Sequence, residues 1–114
     1  MSLPLETKKC LHDVLEAARD IEQYTRELDR AGYLADGMVQ AAVERKFEII
    51  GEALNRLTRS KSPVLEKLSD HARIIGFRNV IAHGYDAVDH EIVWEAVRSY
   101  LPKLAVEAER LLEG

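Results

Sequence analysis

The residues best suited to chemistry gather in one stretch, Arg78-Asn79-Val80-Ile81-Ala82-His83-Gly84-Tyr85. A histidine with an ordinary pKa of about 6.5 can take or give a proton near neutrality. An arginine, always charged and forked, suits phosphoryl oxygens on which negative charge grows. The local pattern predicts that these residues end a helix, with Gly84 bounding it. Asn79 and His83, four apart, then share a face. Arg78 and His83, five apart, stand about 140° from each other on an unbroken helix. For the pair to meet one ligand, the last turn must loosen at Gly84, the long Arg must reach round, or a second copy must contribute across a dimer axis. A purely structural reading stands beside this: His83 caps the helix C-terminus, where a positive charge suits the dipole, and Arg78 pairs with an acid.

Other chemistries lack their residues. Gly51 and Gly76 stand alone inside helical patterns, so no glycine-rich phosphate loop is present. The histidines are His12, His71, His83 and His90, and none has a Glu three residues before it, which removes the Glu-x-x-His pairs of di-iron bundles. Cys10, the single cysteine, allows neither zinc-finger spacing nor an internal disulfide. No serine has a nucleophile-elbow context. Neither a metal nor a cofactor is expected.

The elements that must position the stretch read as helices throughout. Ser2 with Pro4 suits a helix start, and Leu11, Val14, Ala18, Ile21 and Leu28 make one apolar stripe over about 25 residues. Gly32 is expected to close that helix, being able to take φ > 0. Asp36 can cap a second helix, striped by Val39, Ala42, Val43, Phe47, Ile50, Ala53, Leu54 and Leu57. Ser62-Pro63 opens a short element, and Asp70 can cap a helix running to about Ala82. Asp89 can cap the last helix, bearing Ile92, Val93, Ala96, Tyr100, Leu104, Leu111 and Leu112, with a kink or break at Pro102. The expectation is all-α: an up-and-down bundle of four main helices plus a short one, in a single domain over residues 1–114.

Composition agrees with a soluble, ordered chain: 114 residues, 46% apolar and 32% charged. No run approaches the ~18 apolar residues of a membrane span, and the N-terminal MSLPLETKKCLHD has no signal-peptide core. A cytoplasmic protein without a membrane partner is expected. The formal net charge is −4, carried by the C-terminal quarter, where Asp86, Asp89, Glu91, Glu95, Glu107, Glu109 and Glu113 face only Arg98, Lys103 and Arg110. That excludes a general nucleic-acid coat. A local basic site remains open in the middle third, where Arg45, Lys46, Arg56, Arg59, Lys61, Arg73 and Arg78 fall; the alternative is a solvated surface of mixed charge.

Arg78, His83 and Tyr85 together match the Arg-x4-His-x-Tyr motif of HepT-like toxins in the HEPN superfamily. The chain resembles that family on both sides of the motif. AVERKFEIIGEAL (residues 42–54) looks like its second helix, and RNVIAHGYDAVDHEIVWEAV (residues 78–97) is similar to its signature block. The resemblance implies a metal-independent RNA endonuclease acting as the toxin of a toxin–antitoxin module. It implies a homodimer whose two motifs line a cleft, Arg78 and His83 as the catalytic pair, and Asn79 as the usual polar residue after the Arg. It also implies a cognate minimal nucleotidyltransferase antitoxin that attaches AMP to Tyr85.

The chemistry stands without the family name. RNA carries its own nucleophile, the 2′-OH, so cleavage needs proton transfer and charge stabilisation at phosphorus, leaving a 2′,3′-cyclic phosphate and a 5′-OH. One His serves poorly as both base and acid, whereas a dimer cleft supplies two. AMP on Tyr85 would place bulk and negative charge where RNA phosphate must dock. Glu48 and Glu52 are read either as acids orienting Arg78 or as surface acids. Trp94 and Phe47 are read as core or dimer contacts rather than base-stacking rings. Two other classes stay in view: a catalytically silent helical module that engages a nucleotidyltransferase or nucleotide, and a purely structural helical dimer. A nucleotidyltransferase in the adjacent gene would disfavour the last.

Overall fold

The computed structural model describes the backbone of residues 3–83 and 88–114, and the side chains of residues 3–77 and 88–114. Among the described residues the chain is all-α, as expected. The elements are α1 (Leu5–Thr25), α2 (Arg30–Leu34), α3 (Gly37–Arg59), a short 3-10 helix (Pro63–Lys67), α4 (His71–His83), α5 (His90–Ser99) and α6 (Leu101–Glu113). The long helices α1 and α3 pack together; α4 lies along α3, α6 lies along α1, and α2 bridges α3 and α5. Leu11, Val14, Ile21, Phe47, Ile50, Leu54, Leu57, Ile74 and Leu104 are fully buried in one apolar cluster drawn from the four longest of these elements. None of the described helices is long and apolar enough to cross a membrane.

Several boundaries follow from local chemistry. The Asp36 carboxylate accepts from Val39 N at 3.1 Å and starts α3. Asp89 does the same for α5, accepting from Glu91 N and Ile92 N at 3.0 and 3.3 Å. Pro63 opens the 3-10 helix behind Ser62. Pro102 breaks the last helix as expected: it has no N–H to continue the ladder, α5 stops at Ser99, and α6 restarts at Leu101 with the proline in its first turn.

The first helix differs from expectation. It ends at Thr25, whose Oγ1 donates back to the Ile21 carbonyl at 2.8 Å, and Leu28 lies in the following turn. Gly32 does not close it. Asp29 caps the separate helix α2 by accepting from Gly32 N at 2.8 Å, and Gly32 sits inside that helix. A Cβ there would stand 3.2 Å from both Asp29 Oδ1 and Leu28 Cδ2, so the glycine serves close approach and not a left-handed turn.

Left-handed backbone falls instead on Lys61 (φ 56°) and Asp70 (φ 60°). At Lys61 the pattern is a Schellman ending of α3, with Ser62 N on the Leu57 carbonyl and Lys61 N on the Thr58 carbonyl, both at 3.0 Å. A lysine there carries a Cβ penalty that glycine lacks. Lys61→Gly should therefore raise stability by about 1 kcal/mol, measurable as a higher urea midpoint at unchanged slope; a lower midpoint would contradict the account. Asp70 immediately precedes α4, its carbonyl accepting from Ile74 N at 3.1 Å and its carboxylate 3.3 Å from Lys103 Nζ on α6.

Candidate active site

Helix α4 carries the candidate site. The Phe77 ring meets Phe47 of α3 with centroids 5.8 Å apart. The connection from α3 is short and itself partly helical, so α4 runs back along α3 with Phe77 beside Phe47. This register brings the end of α4 alongside the N-terminal half of α3. Arg78, Asn79 and His83 all lie on the α4 backbone, and the helix is continuous through His83. Arg78 and His83 are therefore about 7.5 Å apart along the axis and about 140° around it. The loosening expected at Gly84 lies outside the described residues. The side chains of Arg78, Asn79 and His83, and all of Tyr85, lie outside the described residues.

On α3, Arg45 Nη1 lies 3.3 Å from Glu48 and Arg59 Nη2 lies 3.6 Å from Glu52. Lys46 Nζ is 2.9 Å from Asp20, and Arg56 reaches Asp13 at 3.5 Å and Glu6 at 3.9 Å. For these four cations the mixed-charge reading holds. Arg73 donates to Tyr100 Oη at 2.6 Å and lies over its ring. Phe47 and Trp94 are core residues, Trp94 stacking on Tyr33 with centroids 5.2 Å apart.

Between α4 and α5 runs an apolar groove of about 580 Å³, lined by Arg73, Gly76, Phe77, Ile92, Glu95 and Tyr100. Ile92 is 52% exposed beside it. A second feature escaped the sequence. His90, the first residue of α5, places Nδ1 3.7 Å from a Glu44 carboxylate oxygen on α3. Burial raises the Glu44 carboxyl above its usual range, and the charge of His90 opposes that rise. Neither residue stands in a recognisable spacing, because helix packing alone brings them together.

An all-α chain with an arginine, an amide and a histidine on one helix, next to an open groove, defines the class to be matched. The family model described as "Ribonuclease HepT-like" matches residues 14–111. "Putative RNase MJ1380" of Methanocaldococcus jannaschii is 33% identical over 107 residues, covering 91% of this chain and 94% of that protein. "Probable ribonuclease HepT" of Thermococcus cleftensis is 33% identical over 106 residues, with 91% and 94% covered. "Putative RNase TTE0752" of Caldanaerobacter subterraneus is 24% identical over 103 residues, with 90% and 91% covered. No solved structure matches the chain significantly. The chain belongs to the HepT-like ribonuclease family.

Proposed function

We propose that this chain is a metal-independent RNA endonuclease and the toxin of a toxin–antitoxin module. The family match across residues 14–111, which includes the motif helix, carries the reading. The names of the relatives MJ1380 and HepT, both given as ribonucleases, support RNA as substrate. In this reading His83 moves the proton of the attacking 2′-OH, Arg78 neutralises charge growing on the phosphoryl oxygens, and Asn79 supports them from the same turn. No metal is needed, because the substrate supplies the nucleophile and the histidine supplies the proton transfer.

The working form is a twofold homodimer of up-and-down bundles acting in the cytoplasm. The angular separation of Arg78 and His83 on a continuous helix favours a cleft shared between two copies. The apolar groove beside α4, with exposed Ile92, is suited to a contact of that kind. Tyr85, two residues past His83, is the AMP acceptor for a cognate minimal nucleotidyltransferase antitoxin.

The deciding experiment is end analysis of RNA cleaved in excess EDTA. Products should carry 2′,3′-cyclic phosphate, and a 2′-deoxy substitution at the cleaved position should abolish reaction. Complete dependence on Mg²⁺, or cleavage of the deoxy substrate, would overturn the mechanism.

A further inference from the structure

We propose that Glu44 and His90 form a positioning pair that fastens the start of α5 to α3 at the level of the α4 motif. The inference rests on the ribonuclease reading of Arg78 and His83. Two independent observations carry it. The first is register: with Phe77 beside Phe47, the α3 residue abreast of the middle of the motif is Glu44. The second is the polar content of this junction. Among the described residues His90 Nδ1 is a buried atom without a hydrogen-bond partner, and a Glu44 carboxylate oxygen lies 3.7 Å from it. Tyr33 of α2 is fully buried against Trp94, and among the described residues its hydroxyl also has no hydrogen-bond partner.

Apolar side chains of similar size could fill this junction of α2, α3 and α5, since a partly buried ion pair is weak evidence for stability. What the polar groups add is a single preferred geometry. The Glu44 and His90 side chains are 20% and 34% exposed, so a protonated His90 attracts Glu44 with less screening than in a fully exposed pair. The next residue adds a second tie, because Glu91 pairs with Arg30 of α2. Consecutive residues at the start of α5 thus hold two different helices, and the Asp89 cap stiffens the same turn. Six residues separate His83 from His90. The point at which the chain rejoins the bundle therefore limits where the end of α4 can sit. Neither Glu44 nor His90 is assigned contact with RNA; both act through the placement of α4 and α5.

The test uses Glu44→Gln, His90→Gln and the exchanged double variant Glu44→His with His90→Glu, all as full chains. Hydrogen exchange of the first turn of α5 reads the fastening, and kcat and KM for RNA cleavage read the positioning. Each single variant should speed exchange there about tenfold, within the range of coupling between contacting residues, while leaving α1 unchanged. It should lower kcat to a similar degree with KM within about twofold, and the exchanged pair should recover a substantial part of both. Unchanged exchange in both single variants overturns the fastening. Faster exchange with wild-type kcat, in a preparation where His83→Ala is inactive, overturns the positioning and leaves the ribonuclease reading intact. A wild type that cleaves no RNA removes the ribonuclease reading, and the positioning falls with it.

Discussion

His83→Ala should lower RNA cleavage by roughly 10²- to 10⁴-fold, the usual worth of a positioned general acid or base. Arg78→Ala should cost about 10²- to 10³-fold, as expected for removing charge stabilisation at the reacting centre. Neither loss should come from unfolding. Among the described residues of α4, Ile74 is fully buried, Phe77 lies against Phe47 and Ile75 packs on the core. Circular dichroism and the urea midpoint should therefore stay near wild type. Mixing makes the experiment sharper. If one cleft needs a histidine from each copy, a 1:1 mixture of wild-type and His83→Ala protomers forms active sites only in wild-type homodimers, and about one quarter of the activity remains. If each protomer works alone, about one half remains. A result near one half would keep His83 as a catalytic group but remove the two-histidine cleft. Wild-type cleavage by His83→Ala would remove the motif from the chemistry altogether.

The boundaries that the sequence made legible are those set by short-range chemistry. Asp36 and Asp89 cap their helices through their own carboxylates, and Pro102 breaks the ladder through its own missing N–H. None of these needs the rest of the fold. Gly32 misled because glycine's freedom suggests a helix end, whereas Asp29, three residues earlier, recruits its amide to start a new helix. The left-handed residues Lys61 and Asp70 gave no signal, since their conformations are imposed by how α3 ends and α4 begins. The site divides in the same way. Arg78, Asn79, His83 and Tyr85 stand out by residue type and by the motif they share with the resembled family, and their side chains lie outside the described residues. Glu44 and His90 do not stand out, because their proximity exists only after α5 has packed near α3. Glu48 meets Arg45 and Glu52 meets Arg59 on their own helix, while the reading in which either acid orients Arg78 lies outside the described residues.

Tyr85→Phe separates catalysis from control and should give the largest effect in cells. The substitution keeps the ring, removes the hydroxyl and adds no charge, so RNA cleavage should stay within about threefold of wild type if the hydroxyl touches no reacting atom. AMP transfer by the cognate nucleotidyltransferase should be lost completely, because no acceptor oxygen remains at that position. Co-expressed with that enzyme, Tyr85→Phe should remain toxic while wild type is silenced. Under the proposed function, silencing would follow from simple electrostatics: each AMP would bring a phosphodiester charge and a nucleoside to where an RNA phosphate must approach Arg78. Intact mass of the co-expressed wild-type pair should rise in multiples of an AMP unit, with the addition mapping to the peptide that contains Tyr85. Should the mass map elsewhere, Tyr85 loses its regulatory role while Arg78 and His83 keep theirs. Should Tyr85→Phe prove as inert as His83→Ala, the hydroxyl belongs to the reaction itself, holding a phosphate oxygen. AMP would then silence the enzyme by consuming a catalytic group, and not by blocking the path of RNA.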